Sequence, residues 1–393
     1  INEPCFDDFR RALCQDKHNF VMLTDHGTSF SYTDYPDTLL YRADRGDELV
    51  ERQGPVANWA ACPAEAGATS AHRTLLLAGT ETGMMPVGIE RHAAGTASER
   101  GKLYGSVTPE AVKQLQQLGA VVLLQHTEDW TPEQIVDLGV DGFEMYNLHA
   151  NTILGAGGVF ALLADAATPA DLPQSDLVLL PIVNEDDRYL ERWGTVLARG
   201  NHVTTTLGTD CHRNTFKQLL PDGERIDSYR RMMHWFSNHL LLRNATGGFD
   251  DTHLKAALKE GRLYGAFELI GYPTGFDYRA ESKGAVHEMG QTATTGSELV
   301  VKRPAVRELS PDAPQPEITV RILRAVEEGF ELVAELAPTD SGDELRFTAA
   351  KPGAYRAEVR MKPRHLESFL ASYSELASRN FVWIYSNAIY VAD

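Results

Sequence analysis

The chain has 393 residues, of which 43% are hydrophobic and 23% are charged, and its formal net charge at pH 7 is −18. This length suggests two or three domains of roughly 150 residues each, and the composition is that of a globular protein that buries a core. The negative charge argues against broad nucleic-acid or anionic-membrane binding, because both need basic surface. No apolar run in the sequence approaches the ~20 residues of a bilayer span.

The first two-thirds of the chain alternates short apolar runs with amphipathic helical patterns, as βα units do. Helices are predicted over residues 6–14, after the caps Thr108 and Thr131, and in a segment that ends at Gly200. Apolar runs between them predict strands at 19–24, 74–78, 120–124, 142–146, 177–180 and 203–207.

The last third of the chain has a different pattern. Residues 355–361 alternate strictly between apolar and polar side chains, which predicts a strand with one face in water. One long helix is predicted at about 363–378. Other strands are predicted at 318–323, 330–336, 345–348 and 381–391. The pattern favours a β-sandwich, so we predict two domains, 1–264 and 265–393.

Histidines and carboxylates follow four of the predicted strands: Asp25 and His26, Glu81, His126, and then Asp210 and His212. The carboxyl ends of parallel strands meet on one face of a βα architecture, so these side chains are expected to converge there. Imidazole and carboxylate are the usual ligands of zinc, iron and manganese. The sequence therefore predicts a divalent-metal site whose ligands are His26, Glu81, His126, Asp210 and His212.

The segment Asp210-Cys-His212 is the most compact part of this predicted site. In an extended chain, residues two apart point to the same side, so Asp210 and His212 would form a two-ligand unit. Cys211 would point the other way, as a small buried filler. His92, which follows Glu81 in a loop, is a further candidate ligand. A single histidine at a strand end more often has a structural role, so the prediction depends on the set.

Residues 6–262 resemble the PHP-domain (polymerase and histidinol phosphatase) metal hydrolases. The resemblance lies in Thr24-Asp-His-Gly27, Gly79-Thr-Glu81, the strand ending in His126, Gly142-Phe-Glu-Met-Tyr-Asn147 and Gly208-Thr-Asp-Cys-His212. It implies a distorted (β/α)7 barrel with two or three metal ions, commonly zinc, manganese or iron. It also implies ligand roles for the five residues above, a supporting place for Asp25, and site-lining places for Glu144 and Asn147.

Two features of this resemblance concern the ends of the chain. Residues 353–359 and 383–391 resemble the β-rich C-terminal extension of the carbaryl-hydrolase-like PHP subgroup. The family opens with a His-x-His pair on its first strand, and nothing here matches that pair. Because the helix at 6–14 would follow that strand, we expect the pair to precede Ile1. The compartment stays open between the cytoplasm and, if a signal peptide precedes Ile1, the periplasm.

Together these patterns predict a metal-dependent hydrolase, foremost a phosphoesterase that uses metal-activated water on a small phosphorylated substrate. One alternative is an amide or carbamate hydrolase on the same metals. Another is a non-catalytic metal-binding protein whose sandwich binds a partner. A nucleotide-binding enzyme is suggested only by Gly155-Ala-Gly-Gly158, which lacks the lysine of a phosphate loop. No nucleic-acid partner and no membrane span are expected, and an oligomer is compatible with the sandwich.

Overall fold

The computed structural model describes residues 2–64, 71–148, 150–151, 169–214 and 216–393. The chain forms two compact units. Unit 1 comprises Ile1–Glu144 and Leu240–Glu260, and unit 2 comprises Met145–His239 and Gly261–Asp393. The glycine-rich stretch at 155–158 lies outside the described residues. Within the described part of the chain, no helix has both the length and the apolar character that crossing a membrane would require.

The described α-helices are, in chain order, α1 (Glu3–Asp16), α2 (Gly27–Tyr32), α3 (Ala97–Tyr104), α4 (Pro109–Gln117), α5 (Pro132–Leu138), α6 (Asp187–Ala198), α7 (Tyr229–Trp235) and α8 (Asp251–Lys259). The described strands up to residue 240 are β1 (Phe20–His26), β2 (Glu48–Glu51), β3 (Pro55–Ala61), β4 (Arg73–Glu81), β5 (Met85–Val87), β6 (Val121–Leu124), β7 (Gly142–Asn147), β8 (Thr204–Gly208) and β9 (Ser237–Leu240).

The described strands after residue 260 are β10 (Leu263–Ala266), β11 (Pro273–Thr274), β12 (Asp277–Ser282), β13 (Ala285–Glu288), β14 (Thr292–Thr294), β15 (Glu298–Lys302), β16 (Ala305–Val306), β17 (Glu317–Val326), β18 (Gly329–Leu336), β19 (Glu344–Thr348), β20 (Gly353–Lys362), β21 (Phe381–Ser386) and β22 (Ile389–Ala392). Short 3₁₀ helices are described at Asp37–Leu39, Ala43–Arg45, Thr127–Asp129, Pro169–Asp171, Ser175–Leu177, Leu180–Ile182, Glu268–Ile270, Arg364–Phe369 and Ala371–Ser378.

Helix starts follow the capping residues of the sequence. At the start of α4 the Thr108 side chain accepts a hydrogen bond from the backbone N–H of Ala111. At the start of α5, Thr131 and Gln134 form a reciprocal capping box, and Gly139 ends that helix in the left-handed conformation. These contacts satisfy backbone groups that have no partner inside the helix. The predicted helix starts after Thr108 and Thr131 are therefore confirmed.

The strands of unit 1 form one sheet in the order β2-β3-β4-β5-β6-β7, and β1 also pairs with β4. Strands β1 and β4 run parallel, as do β6 and β7. The pairs β2–β3, β3–β4, β4–β5 and β5–β6 are antiparallel. One core cluster of unit 1 joins Leu75 and Leu77 of β4 to Ala57 of β3 and Leu254 of α8. This burial explains why β4 is an almost continuous apolar run.

The predicted (β/α)7 barrel is wrong. A barrel of that kind needs parallel strands that are each followed by a helix. Here β3 and β5 each run antiparallel to both neighbouring strands, the helices are too few, and the curled sheet reaches only a half-barrel. The sequence pattern indicated where strands lie, but hydrophobic periodicity carries no information on strand direction. Pairing between distant segments sets that direction.

A disulfide between Cys14 and Cys62 ties α1 to the residue after β3, with the two Cα atoms 5.5 Å apart. The cysteine spacing left this pairing open, because four cysteines without a recognised framework allow several connectivities. Cys5 and Cys211 lie outside this bond, and each is half-buried.

The strands of unit 2 form several sheets. The largest has the order β14-β22-β20-β21-β10-β9, and β17 joins it by pairing with both β20 and β18. A four-stranded sheet has the order β13-β12-β15-β19, and β11 pairs with β16 alone. Helix α6 packs against β17, β18 and β20. Gly194 makes that packing possible, because a Cβ atom at this position would lie 1.8 Å from the backbone oxygen of Gly329.

Helix α6 covers one face of β20, so the prediction that this strand has one face in water is wrong. The purely sheet-on-sheet arrangement of the predicted β-sandwich is wrong for the same reason. Arg356 and Glu358, on the polar side of β20, are only 1% and 3% exposed. They pair with each other at 2.9 Å, and the Arg356 guanidinium lies 4.5 Å from the ring centre of Trp193 in α6. The alternating pattern identified the strand correctly, but its polar face is covered by a helix from earlier in the chain.

Two further predicted elements are wrong. The apolar run at 177–180 was predicted as a strand but lies in and between the 3₁₀ helices Ser175–Leu177 and Leu180–Ile182. The predicted long helix at about 363–378 consists of the 3₁₀ helices Arg364–Phe369 and Ala371–Ser378. The run at 177–180 is a short apolar pattern, for which periodicity separates helix from strand poorly.

Candidate metal centre

Strands β1 and β4 bring two of the predicted ligands together in unit 1. The strands run parallel in a register that places His26 opposite Glu81, at the last residue of each strand. Gly79 permits the close pairing, because a Cβ atom there would lie 2.6 Å from the backbone oxygen of Pro86 and 2.9 Å from that of Leu23. The Gly-Thr-Glu sequence therefore combines a tightly packed strand position with a carboxylate at the strand end.

His126 joins this pair from the end of β6. Its Nε2 atom lies 3.8 Å from Oε1 of Glu81. Its Nδ1 atom lies 3.1 Å from Oε1 of Glu128, and its backbone N–H donates to the Glu144 carboxylate at 3.0 Å. The Thr127 hydroxyl donates to the backbone oxygen of Glu144 at 2.6 Å, which ties the same turn to β7. Three glutamate carboxylates therefore contact His126: Glu81 at the end of β4, Glu128 in the following 3₁₀ turn, and Glu144 within β7.

The backbone of His126 is in the left-handed conformation, with φ 49° and ψ 57°. This region is unfavourable for a residue with a Cβ atom by roughly 1–2 kcal/mol. Such strain persists only where the surroundings enforce it, and it concentrates at functional sites. The Glu144 hydrogen bond to the His126 backbone is one of the contacts that hold this conformation.

The charges around His126 favour its protonated form when no cation is bound. The hydrogen bond to Glu128 is the largest influence, and together with the charges of Glu144 and Glu81 it raises the pKa of His126 to about 9 against the opposing effect of burial. A positive charge is thus stabilised at this point. A bound divalent cation would replace the proton, because only the neutral imidazole is a metal ligand.

Glu128 belongs to this group but was not among the predicted site residues. It sits two positions after His126, in the 3₁₀ helix Thr127–Asp129. A carboxylate that accepts the second N–H of a metal-binding imidazole is a common supporting contact. The His-Thr-Glu spacing is therefore a signal that could have identified it.

Asp25 precedes His26 at the end of β1, and solvent reaches the side chain of each. The surrounding protein nevertheless desolvates Asp25, which raises the pKa of its carboxyl group, while the charge of His26 partly offsets the increase. A carboxylate with a raised pKa beside a candidate metal ligand is suited to proton transfer.

His92, the further candidate ligand, is engaged elsewhere in unit 1. Its Nε2 atom lies 2.8 Å from the backbone oxygen of Thr33, which can only accept, so Nε2 carries the hydrogen. Its Nδ1 atom lies 2.9 Å from the hydroxyl oxygen of Tyr104, and its ring packs on Phe30. Burial lowers the pKa of His92. Both nitrogens therefore have protein partners, which leaves no lone pair for a cation in this arrangement.

Asp210 and His212 form the corresponding pair in unit 2. The Nε2 atom of His212 lies 3.3 Å from Oδ1 of Asp210. That hydrogen bond is the largest influence that raises the pKa of His212 to about 9. The segment is not extended as predicted, because Asp210 has φ 49°. Cys211 is half-buried, with its Sγ atom 4.0 Å from the backbone oxygen of Tyr229.

The two predicted site-lining residues have backbone roles. Glu144 is 3% exposed and holds His126, as described above. Asn147, also buried, accepts a hydrogen bond from the backbone N–H of Ala150 through Oδ1, and its own backbone oxygen accepts from Asn151. Asn147 therefore organises the turn that follows β7.

The donor pairs can be compared with what a metal ion requires. Zinc binds imidazole nitrogen and carboxylate oxygen at about 2.0–2.2 Å, so two ligand atoms of a tetrahedral site lie about 3.4 Å apart. The Asp210–His212 separation of 3.3 Å matches this spacing, and the Glu81–His126 separation of 3.8 Å is slightly wider. Across the described residues no group of three or more histidine, cysteine or acidic side chains is arranged to hold an ion. The donors thus fit as pairs.

The resemblance to PHP-domain hydrolases remains a prediction from these motifs. No family model, no curated protein and no solved structure matches the chain.

Proposed function

We propose that this protein is a metal-dependent hydrolase, and that a phosphoesterase acting on a small phosphate ester is the function that its site supports best. The observation that carries the proposal is the approach of Nε2 of His126 to within 3.8 Å of Oε1 of Glu81, which is the register partner of His26 at the ends of β1 and β4. These side chains are the donor types that zinc, manganese and iron prefer. Asp210 and His212 form a separate donor pair within unit 2.

The protein's own groups prepare His126 to bind a cation. Because the Glu128 carboxylate can only accept, the hydrogen at Nδ1 is held there, and Nε2 is the nitrogen on the side of Glu81. Glu144 fixes the backbone that carries the ring. Supporting contacts of this kind orient the ligand and increase its basicity.

A divalent cation supplies Lewis acidity for hydrolysis, because it acidifies water and offsets the negative charge of a phosphoryl group. The positive charge of the cation would also attract an anionic substrate locally, although the protein as a whole has a net charge of −18. Asp25, which is accessible and has a raised pKa, is the group that we expect to move a proton during the reaction.

The test combines metal content with turnover for Glu81→Gln and His126→Asn. After dialysis against zinc or manganese, both variants should hold less metal than the wild type, and their hydrolysis of an aryl phosphate should fall by about 100-fold or more. His287→Gln, a substitution on β13 away from the donor groups, is the matched control and should change neither quantity. Wild-type metal content and turnover in both site variants would overturn the proposal.

The same assay separates the related functions. Hydrolysis of an aryl carbamate in preference to an aryl phosphate would assign the metal site to carbamate or amide chemistry. Metal bound through Glu81 and His126 without turnover of either substrate would favour a non-catalytic metal-binding protein.

A further inference from the structure

A second group of functional side chains lies in unit 2, around His239 of β9. Strand β10 is the neighbour of β9 in the sheet, and its Tyr264 ring stacks on the imidazole with a centroid separation of 4.7 Å and an interplanar angle of 9°. Glu268, in the 3₁₀ turn after β10, places Oε1 2.8 Å from Nε2 of His239. The Glu268 side chain is 8% exposed and that of His239 is 18% exposed. The imidazole is therefore fixed on one face and at one nitrogen.

The other nitrogen of His239 remains available. Since the Glu268 carboxylate accepts the hydrogen bond at Nε2, Nδ1 is the position that can meet a ligand. Among the described residues Nδ1 of His239 has no hydrogen-bond partner. It is also not fully buried, so solvent can reach it. An oriented imidazole with an accessible second nitrogen is a common arrangement in binding and proton-transfer sites.

Tyr272 and Arg307 extend this group. The guanidinium carbon of Arg307 lies 4.0 Å from the ring centre of Tyr272. The pairing of β11 with β16 holds the two residues side by side. Just beyond these strands the backbone N–H of Arg307 donates to the backbone oxygen of Tyr272 at 2.9 Å. The Arg307 side chain is 54% exposed, and its closest recorded carboxylate, Glu308, is 4.0 Å away and 88% exposed. The guanidinium is thus held flat with its N–H edge open to solvent.

The shared contact with Tyr272 brings the two groups within reach of one ligand. The ring centre of His239 lies 5.4 Å from that of Tyr272. The imidazole and the guanidinium carbon of Arg307 therefore cannot be further apart than the sum of their distances to the Tyr272 ring. A single phosphate or carboxylate, hydrogen-bonded on both sides, bridges a gap of that size. Glu268 sits at the opposite nitrogen of the imidazole.

We propose that His239 and Arg307 form a binding site for a small oxyanion, either inorganic phosphate or the phosphate or carboxylate group of a larger molecule. Arg307 provides a planar, permanently charged donor suited to paired oxygens. In its imidazolium form His239 donates a directed hydrogen bond to the oxyanion through Nδ1, since Glu268 accepts the hydrogen of Nε2. Glu268 is a positioning residue that acts through the imidazole. This site is independent of the proposed metal centre, because each of its groups belongs to unit 2 and none is a candidate ligand.

The test uses the full chain after treatment with a chelator, so that no metal ion contributes, and inorganic phosphate as the probe. Calorimetric titration of the wild type should show binding in the micromolar to millimolar range. Arg307→Gln and His239→Gln should each weaken it by about tenfold or more, the loss of one charge-assisted hydrogen bond. Arg307→Lys should weaken it less. Lys351→Gln, which removes an exposed positive charge of unit 2 outside this group, is the matched control and should have no effect.

A second readout follows the imidazole itself. Phosphate should shift the ¹⁵N resonance of His239 Nδ1 more than that of Nε2, and Glu268→Gln should change the tautomer balance of the free protein. Phosphate binding that is unchanged in both Arg307→Gln and His239→Gln would overturn the proposal, as would the absence of binding to the wild type at about 20 mM phosphate. A benzoate titration distinguishes carboxylate from phosphate preference, and tighter binding of either still supports an oxyanion site.

Discussion

The left-handed backbone of His126 makes a measurable prediction about stability. Both His126→Gly and His126→Ala remove the imidazole and its contacts with Glu81 and Glu128, so the difference between them reports the backbone alone. At φ 49° alanine keeps a conformational cost of roughly 1–2 kcal/mol that glycine avoids. On folding, glycine loses more conformational freedom than alanine, which costs roughly 0.5–1 kcal/mol. We therefore expect the glycine variant to be more stable than the alanine variant by roughly 0.75 kcal/mol, the difference between the mid-range values of the two costs.

The assay is equilibrium denaturation by guanidinium chloride, with a chelator present so that metal binding does not contribute. Equal m-values in the two variants would show that they unfold to the same extent. The same pair of substitutions at Gln134, inside helix α5, is the control, and there alanine should be the more stable by about 1 kcal/mol. An alanine variant at position 126 as stable as the glycine variant would refute the idea that His126 carries backbone strain.

Two other predictions concern the framework of unit 1. Replacing Cys14 and Cys62 by serine opens a cross-link with a sequence separation of 48, which should lower the free energy of unfolding by about 4 kcal/mol. The measurement is denaturation of the wild type and the double variant. A loss below about 1 kcal/mol would contradict the prediction. Asp47 is fully buried and accepts two hydrogen bonds from Arg10, at 2.6 and 2.9 Å, so Asp47→Ala should cost about 3–5 kcal/mol by leaving the Arg10 charge unpaired. Burial alone would raise the pKa of Asp47, but the hydrogen bonds from Arg10, the Ala61 backbone and Asn58 lower it overall. The stabilisation from Asp47 is therefore complete above the unfolded pKa of about 3.9 and is lost as the pH falls through the lower folded value. Stability measured from pH 6 down to about pH 2 should fall more steeply in the wild type than in Asp47→Asn, and parallel curves would count against this account.

Local features of the sequence were sufficient for the helix starts after Thr108 and Thr131 and for the strands β1, β4, β6 and β7. The capping residue Thr131 predicted the start of α5 because the contact it makes lies within one turn. The apolar run at 74–78 predicted β4 because a strand buried on both faces needs such a run. Residues with metal-binding chemistry were also visible as strand-end positions, since His26 and Glu81 end their strands.

The tertiary structure decided what those elements do together. Strand directions in unit 1 depend on which segments pair, and the reversed strands β3 and β5 are incompatible with the predicted barrel. The polar face of β20 is buried because α6 covers it, and a repeating pattern along one strand cannot show what lies above it.

The same distinction applies to the candidate sites. The sequence by itself determined which strand ends carry histidine and carboxylate, because that is a property of neighbouring residues. Only the tertiary structure placed Nε2 of His126 beside Glu81, engaged His92 with Thr33 and Tyr104, and stacked Arg307 on Tyr272. These contacts join residues far apart in the chain, and their distances follow from packing rather than from local preference.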